Sequence, residues 1–359
     1  MAADIPDLGA KFPRLGKQLG SGTYGKVYAV LGETKQIAKV FLMGPLDDYE
    51  IEDLVQEVTI QQKLYENVPG SCPKIYAFGK GDDDQGDQVA VVVMEQCEGT
   101  AHSWLKLNGG RDEAVLDYLE QIANIMKRAK PFNFNHRDLK SDNIMYKTVM
   151  RENKSGKVKP QKDFLLIDFG FSCATFDKVK YEGTAYFVPG SKCFRESRDL
   201  ALLVYEMLSF SKQYITKEMT KFAQLLLTFD YKGKTCDMSK GCLPDFDGDW
   251  LNLYDFLDTD DVENPNTTPD GLLKAIEAYR TKGIAACEKD GFILDPVKDA
   301  CVPDPGPPIA AALKPAVSPG KGHMASPTVV AKTGGKKHRT LRRHTRSHRK
   351  TTRRKRGGV

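Results

Sequence analysis

The chain has few of the residues that build metal-linked or cystine-rich folds. Its 359 residues include 8 cysteines and 6 histidines, with no C-x-x-C pair and no His/Cys group at zinc-ligand spacing. We therefore expect free thiols and a reducing, intracellular compartment, cytoplasm or nucleus. No run approaches the roughly 18 apolar residues that span a bilayer, and no apolar segment precedes the charged start. The sequence thus predicts neither a membrane span nor a signal peptide.

Positive charge is concentrated at one end. Residues 336–356 contain twelve Lys/Arg, and removing these from the formal net charge of +5 leaves −7 for the rest of the chain. Residues 301–335 are rich in Pro, Ala and Gly, which predicts a disordered linker before a disordered basic tail at 336–359. Such a tail favours nucleic acid or an import receptor as partner, through residues 336–356. A pseudosubstrate that folds back on the acidic body is the alternative.

Two stretches have the chemistry of phosphoryl transfer. Residues 136–143 read His-Arg-Asp-Leu-Lys-Ser-Asp-Asn, and residues 168–170 read Asp-Phe-Gly. In this order they resemble the catalytic loop and metal loop of eukaryotic-type protein kinases. The resemblance implies that Asp138 orients the attacking hydroxyl, and that Asn143 and Asp168 bind Mg²⁺, which prefers oxygen ligands.

The resemblance also implies a fold. We expect an α+β, two-lobed protein kinase fold with a small β-rich N-lobe, a mainly helical C-lobe and a disordered C-terminal tail. ATP and Mg²⁺ are the implied cofactors, and a monomeric kinase domain acting on protein substrates is the implied assembly. The expected boundaries are 1–13 for an N-terminal extension, 14–97 for the N-lobe, 98–300 for the C-lobe, 301–335 for the linker and 336–359 for the tail.

A glycine-rich segment near the N-terminus resembles the phosphate-covering loop of the family. G-x-G-x-x-G alone is a weak signal, because dinucleotide-binding folds carry it before a helix. Here a β-branched and aromatic run follows, which predicts a strand and a glycine turn that lets the backbone approach phosphates. The residues of this candidate nucleotide site are Leu19, Gly20, Ser21, Gly22, Thr23, Tyr24, Gly25, Lys26 and Val27.

A lysine and a glutamate complete the expected phosphate-positioning pair. Lys39 lies in a short apolar run and resembles the third-strand lysine of the family. Apolar residues at helical spacing predict a helix over 51–64. Glu57 lies beside its apolar face and is the preferred partner of Lys39, with Glu52 as the competing candidate. A surface lysine and a solvated helix face are the simpler alternatives.

The run 88–95 predicts a buried strand that ends at a hinge-like sequence. By resemblance Met94 is the gatekeeper, and the backbone groups of Glu95 and Cys97 bind adenine. The alternative is a strand that simply ends in a polar loop.

Further helices are predicted over 111–129, 198–208, 219–227 and 269–279, the last with Thr268 as N-cap. In the 198–208 helix, Asp199 is expected to anchor the catalytic loop, and His136 is interpreted as a structural hydrogen bonder. The polar segment 147–162 predicts a long surface hairpin, for which a substrate-docking role is the less favoured alternative.

Lys140, and the pair Gly183-Thr184, resemble the serine/threonine members of the family. Residues 188–190 read Val-Pro-Gly where the family has Ala-Pro-Glu, so the usual buried ion pair cannot form there. The usual phosphorylated threonine is also missing. We hypothesise that the enzyme needs no activating phosphate, because Lys178 or Lys180 already puts positive charge in that region or pairs locally with Glu182.

The sequence therefore predicts a serine/threonine protein kinase that transfers the γ-phosphate of ATP. The alternatives are a pseudokinase scaffold, or a nucleic-acid- or chromatin-binding protein that acts through its tail. Compact, divergent kinases with Arg/Lys/Thr-rich tails resemble those of large DNA viruses, which would place the protein in a host cell or virion.

Overall fold

A computed structural model describes most of the chain between residues 5 and 303. The described residues are 5–21, 25–44, 48–83, 85–152, 156–183, 193–231, 234–238, 263–282, 292–295 and 300–303. Predictions made for Gly22–Tyr24, Thr184, Val188–Gly190, the linker beyond residue 303 and the basic tail lie outside the described residues.

An antiparallel five-stranded sheet forms the N-terminal lobe. Its spatial order is β1-β2-β3-β5-β4. The strand predicted at 88–95 is confirmed as β5, and its alternate residues are buried on both faces of the sheet, as a central strand requires. The strands are β1 (Leu15–Ser21), β2 (Lys26–Val30), β3 (Glu33–Leu42), β4 (Ile75–Asp82) and β5 (Gln88–Glu95).

The residues before β1 cover the outer edge of β4. Asp7 forms a parallel bridge to Lys80, with Leu8 N–H donating to Lys80 O at 2.9 Å and Lys80 N–H donating to Pro6 O at 2.8 Å. A side chain at Gly79 would collide with Leu8. The glycines of β4 therefore leave room for this N-terminal segment to lie directly on the strand.

A long helix, α1 (Asp48–Asn67), packs against the sheet and extends the predicted 51–64 helix at both ends. Its Leu54 and Val58 are buried against Phe41 and Val92 of the sheet. Two residues later, Ile60 belongs to the core of the other lobe, as does Leu64 one turn beyond it. The helix thus takes part in the cores of both lobes.

The C-terminal lobe is mainly helical, so the two-lobed α+β fold is confirmed. Short strand pairs accompany its helices: β9 (Cys173–Phe176) with β10 (Val179–Glu182), β11 (Thr228–Tyr231) with β12 (Lys234–Asp237), and β13 (Phe292–Asp295) with β14 (Ala300–Pro303). The helices are α2 (Ala101–Asn108), α3 (Asp112–Ala129), α4 (Arg198–Phe210), α5 (Lys217–Leu226) and α6 (Pro269–Lys282).

The helix predictions in this lobe are confirmed to within a few residues. The apolar stripe of α3 is buried as its spacing indicated, and α6 starts at Pro269 as predicted. Thr268 caps α6, because its Oγ1 accepts a hydrogen bond from Gly271 N at 3.1 Å. Among the described residues, no helix has the length and apolar character needed to cross a bilayer.

The predicted hairpin is present and is longer than its polar segment. Strand β7 (Ile144–Glu152) pairs in continuous register with β8 (Val158–Leu166), and β6 (Gly99–Thr100) joins at the edge. The hairpin begins directly after Asn143 and ends two residues before Asp168.

The expectation of free thiols is wrong for at least three cysteines. Cys173 and Cys193 form a disulfide, and Cys236 is also disulfide-bonded. Cys72 and Cys97 are free. The sequence did not reveal the bond, because Cys173 and Cys193 are 20 positions apart and come together only through the tertiary fold.

Candidate active site

The catalytic loop, residues 135–143, is anchored by the buried carboxylate of Asp199. Asp199 of α4 is fully buried, and its Oδ2 accepts hydrogen bonds from Asn135 Nδ2 at 3.0 Å and His136 N at 2.7 Å. Its Oδ1 accepts from Arg137 N at 2.9 Å. The anchoring contact expected of Asp199 is therefore present, and three donors on one carboxylate fix the backbone just before Asp138.

His136 has a structural contact of the kind expected. Its Nε2 lies 2.9 Å from Ile167 O, the residue that precedes Asp168. The ring also packs against Phe169. His136 thereby connects the catalytic loop with the Asp-Phe-Gly segment.

Asp138 is held in place by the other side chains of its loop. Lys140 Nζ lies 2.7 Å from Asp138 Oδ2, and Asn143 Nδ2 donates to the same oxygen at 2.8 Å and to Asp138 O at 2.9 Å. The side chain is only 15% exposed. The arrangement leaves a fixed carboxylate with a cation beside it, as a group that orients a hydroxyl requires.

The donors of Asn143 and Asp168 fit a hard divalent cation. Because Asn143 Nδ2 is committed to Asp138, the amide can offer its Oδ1 to a metal. Asp168 adopts a left-handed backbone conformation, with φ of 66°. No cluster of three or more acidic, His or Cys ligands occurs among the described residues. Mg²⁺ suits such a site, since it takes one or two protein carboxylates together with substrate phosphates and water.

Lys39 of β3 pairs with Glu57 of α1 across the N-terminal lobe. Lys39 Nζ lies 3.4 Å from Glu57 Oε1, whereas Glu52 is exposed. Burial raises the pKa of Glu57, and the neighbouring Lys39 charge opposes that rise. Asp168 adds to it. The pair and the Asp168 carboxylate thus form one electrostatic cluster.

The described residues on either side of the glycine-rich segment belong to, or adjoin, β1 and β2. Gly20 pairs with Val27 and Ser21 with Lys26, so both flanks are strands as predicted. A Cβ at Gly25 would lie 2.6 Å from Val40 O. Only glycine allows this close approach of residue 25 to β3.

The β7–β8 hairpin contacts the hinge, the segment at the end of β5 that includes Glu95, Cys97 and Glu98. Glu98 N donates to Tyr146 O at 2.9 Å, and Lys147 Nζ lies 2.7 Å from Glu95 Oε1. Lys162 Nζ donates to Glu98 Oε2 at 2.6 Å, a bond that lowers the pKa of the Glu98 carboxyl. These contacts of the hairpin therefore fix the position of the hinge.

Cys97 of the hinge is a half-buried free thiol. Burial, followed by the charge of Glu95, raises its pKa to about 12. A thiol with so high a pKa remains protonated near neutral pH and is a poor nucleophile. The expected contribution of Cys97 to adenine binding is through its backbone, which this protonation state does not affect.

Helix α1 contacts the segment that follows the Asp-Phe-Gly motif. Gln56 donates from Nε2 to Glu182 O, and its Oε1 accepts from Glu182 N at 3.3 Å. Lys63 Nζ lies 3.1 Å from Asp177 Oδ2. Lys180 pairs locally with Glu182, which is one of the two alternatives expected for the lysines of this segment.

A cleft of about 500 Å³ lies beside Lys140 of the catalytic loop. Glu206 of α4 forms part of its wall, and its carboxylate accepts hydrogen bonds from Ser141 N at 3.2 Å and Ser141 Oγ at 3.0 Å. Burial raises the pKa of Glu206. The lining residues are His102, Lys140, Asp142, Glu206, Phe210, Gln213 and Tyr214.

Sequence reasoning missed Gln56, Glu206 and the Cys173–Cys193 disulfide. Glu206 had a signal that could have been used: a carboxylate within a very apolar helix needs a buried partner. Gln56 and the cysteines had no comparable signal, because their partners come from distant segments.

Comparisons with known proteins agree with this geometry. Residues 14–197, just over half of the chain, match the family model described as protein kinase domain. The chain is similar to mouse Myosin-IIIb, with 32% identity over 162 residues, covering 43% of this chain and 11% of that protein. It is also similar to Aurora kinase of Saccharomyces cerevisiae, with 31% identity over 136 residues, 36% of this chain and 35% of that protein.

Similarity extends to a protein named as a tyrosine-protein kinase. Tyrosine-protein kinase SRK3 of Spongilla lacustris is 26% identical over 135 residues, covering 37% of this chain and 38% of that protein. The chain thus spans well under half of the length of each of these relatives.

Proposed function

The chain belongs to the protein kinase family, and from that premise we propose that it transfers the γ-phosphate of ATP, with Mg²⁺, to serine or threonine hydroxyls of protein substrates. The observation that carries the proposal is the combination around Asp138. One carboxylate is fixed by Lys140 and Asn143, on a loop whose backbone is anchored by Asp199.

The roles follow from the chemistry of each group. Asp138 orients the hydroxyl, and Lys140 offsets charge that develops on the transferring phosphoryl group. Lys39, held by Glu57, positions the phosphates. Asn143 and Asp168 are the oxygen donors for Mg²⁺.

The nucleotide is held between the glycine turn and the hinge. The turn flanked by β1 and β2 covers the phosphates, and the backbone of Glu95 and Cys97 meets adenine. The support is the geometry around them: the close approach of Gly25 to β3, and the hairpin contacts to Glu95 and Glu98.

The specificity for serine and threonine is supported by Lys140. Its ammonium lies beside the catalytic carboxylate, where a hydroxyl substrate would approach. The first substrates to test are basic peptides, because Asp142 and Glu206 line the adjoining cleft. Matched peptides with serine, threonine or tyrosine at one position separate this specificity from that of a tyrosine kinase.

The test is transfer of ³²P from ATP–Mg²⁺ to these peptides by the full chain, with Asp138→Asn as the inactive comparison. We expect serine and threonine peptides to be labelled, and labelling to fall by about 10²-fold or more in the variant, since the group that orients the hydroxyl is lost. Equal labelling by both proteins would refute the role of Asp138. Labelling of the tyrosine peptide alone would refute the specificity.

A pseudokinase scaffold is the second candidate, motivated by the Gly190 departure in the sequence. It would bind ATP in a thermal-shift assay without transferring phosphate. Two observations favour the enzyme: Lys39 Nζ lies within 3.4 Å of Glu57 Oε1, and the Asp138 carboxylate is held by its neighbours.

A tail function adds to the kinase reaction and is tested separately. The twelve Lys/Arg of residues 336–356 motivate binding to nucleic acid or an import receptor. Deleting residues 336–359 should abolish salt-sensitive DNA binding or nuclear accumulation and leave peptide phosphorylation intact. Unchanged DNA binding and localisation would refute the proposal.

A further inference from the structure

A disulfide joins the two ends of the segment between the metal loop and α4. Cys173 is the first residue of β9, five residues after Asp168, and Cys193 lies five residues before α4. Their Cα atoms are 6.0 Å apart across a sequence separation of 20. The bond closes this segment into a covalent loop.

The same disulfide lies next to Asn135, the first residue of the catalytic loop. Cys173 N donates to Asn135 O at 2.9 Å, and Asn135 N donates to Cys173 O at 3.0 Å. The Asn135 side chain accepts from Arg195 N and donates to Asp199 at 3.0 Å. One asparagine therefore contacts both flanks of the disulfide and the anchor of the catalytic loop.

We propose that Cys173 and Cys193 form a thiol–disulfide modification site, and that reduction by a dithiol lowers phosphoryl transfer by loosening Asn135 and the catalytic loop. The inference rests on the proposed kinase function. Once the bond is cleaved, non-covalent contacts alone hold residues 193–195, among them the hydrogen bond from Arg195 N to the Asn135 side chain and that from Arg198 Nη1 to Cys193 O.

The two cysteines differ in exposure, which sets the course of the reaction that we propose. Cys173 is fully buried, whereas Cys193 is partly exposed. A thiolate of the dithiol attacks Cys193 Sγ, the S–S bond breaks, and Cys173 leaves as a thiolate that takes up a proton. The second thiol of the reagent then attacks the mixed disulfide. Cys193 is released as a thiol, and the reagent leaves as its own disulfide.

The remaining cysteines supply matched controls. Cys236 is also disulfide-bonded, so a reductant acts on it as well, but it belongs to β12 and not to the catalytic loop or β9. Cys72 is a buried free thiol outside the site. Cys236→Ser and Cys72→Ala should therefore respond to reduction as the unsubstituted protein does.

The experiment measures peptide phosphorylation by the full chain after oxidation with glutathione disulfide and after reduction with dithiothreitol. Peptide mapping of the oxidised protein without reductant should recover Cys173 linked to Cys193. Reduction should lower kcat about tenfold, because misplacing a catalytic group by about 1 Å can cost up to about 10²-fold. The KM for ATP should change less than twofold, and reoxidation should restore kcat. The double variant Cys173→Ser/Cys193→Ser should stay at the reduced level in both conditions.

A second readout does not depend on activity. Hydrogen–deuterium exchange of the peptide covering residues 133–143 should increase on reduction of the unsubstituted protein and be insensitive to reduction in the double variant. Unchanged exchange and unchanged kcat on reduction, or a redox response that survives in the double variant, would overturn the inference. If neither redox form transfers phosphate, the proposed function fails, and the exchange measurement alone decides whether the disulfide controls the loop.

Discussion

Replacing Asp199 by asparagine tests whether the anchoring of the catalytic loop governs both stability and catalysis. The carboxylate is fully buried and accepts three hydrogen bonds, two of them from the backbone of His136 and Arg137. Asparagine keeps the shape and one acceptor oxygen, and places an N–H₂ donor where the other oxygen accepted.

The magnitude follows from the bonds that are lost. A hydrogen bond to a charged group contributes about 1.5–3 kcal/mol, and a buried donor left without an acceptor costs about 1–3 kcal/mol. Losing one or two of the three bonds should therefore destabilise the protein by about 3 kcal/mol. For a chain of this size, about 2–3 °C per kcal/mol gives a fall in Tm of about 6–9 °C.

The catalytic effect should appear in kcat. Asp138 follows Arg137 directly, so relaxation of this backbone displaces the hydroxyl-orienting group, and we expect kcat to fall by about 10²-fold. The KM for ATP should change less than threefold, since Lys39 and the glycine turn belong to the other lobe. Asp230→Asn, the same substitution at an exposed site of β11, is the matched control. A Tm within 1 °C of the unsubstituted protein, together with an unchanged kcat, would refute this account of the anchor.

Three further predictions concern other parts of the site. Because burial raises the Glu57 pKa, kcat/KM should fall as pH drops through a value above the usual Glu pKa of about 4.3, as protonation breaks the pair with Lys39; Glu57→Gln should lack that acid limb. The raised pKa has the opposite sign for folding: its contribution to stability is present at low pH and lost as pH rises through the folded-state pKa. A pH series of Tm values should show this dependence in the unsubstituted protein and not in Glu57→Gln. Lys147→Met should raise the KM for ATP about threefold to fivefold and leave kcat unchanged, because a partly exposed ion pair with Glu95 is worth up to about 1 kcal/mol; an unchanged KM contradicts the role of the hairpin. Serine at both positions of the disulfide should lower the free energy of unfolding by about 3 kcal/mol in urea titrations under oxidising conditions, the cost expected for a loop of about 20 residues, and a difference below 1 kcal/mol would argue against it.

Local patterns predicted the elements, and resemblance predicted the placement of the site. Strand β5 and helix α3 follow from runs of apolar residues at strand and helix periods, so they could be predicted without a structure. The contact of Asp199 with the catalytic loop was expected from motif order alone. Both kinds of information lie in short stretches of sequence.

Contacts between distant segments could not be predicted in the same way. The disulfide of Cys173 depends on where the segment before α4 returns, which no spacing rule encodes. The two hydrogen bonds between Gln56 and the Glu182 backbone likewise need α1 to face β10. Glu206 binds the backbone and hydroxyl of Ser141 across 65 positions of sequence. In each case the partner is chosen by tertiary packing.

The N-terminal segment on β4 has a consequence for how the domain is isolated. The family match starts at residue 14, yet residues 6–8 already pair with Lys80 at the outer edge of the sheet. A fragment that starts at residue 14 would expose the backbone hydrogen-bonding groups of that edge and the surface of Gly79 that Leu8 covers. Open strand edges pair readily with other chains, so such a fragment would tend to aggregate. Keeping residues 6–8 in the fragment should therefore limit self-association of the sheet through the edge of β4.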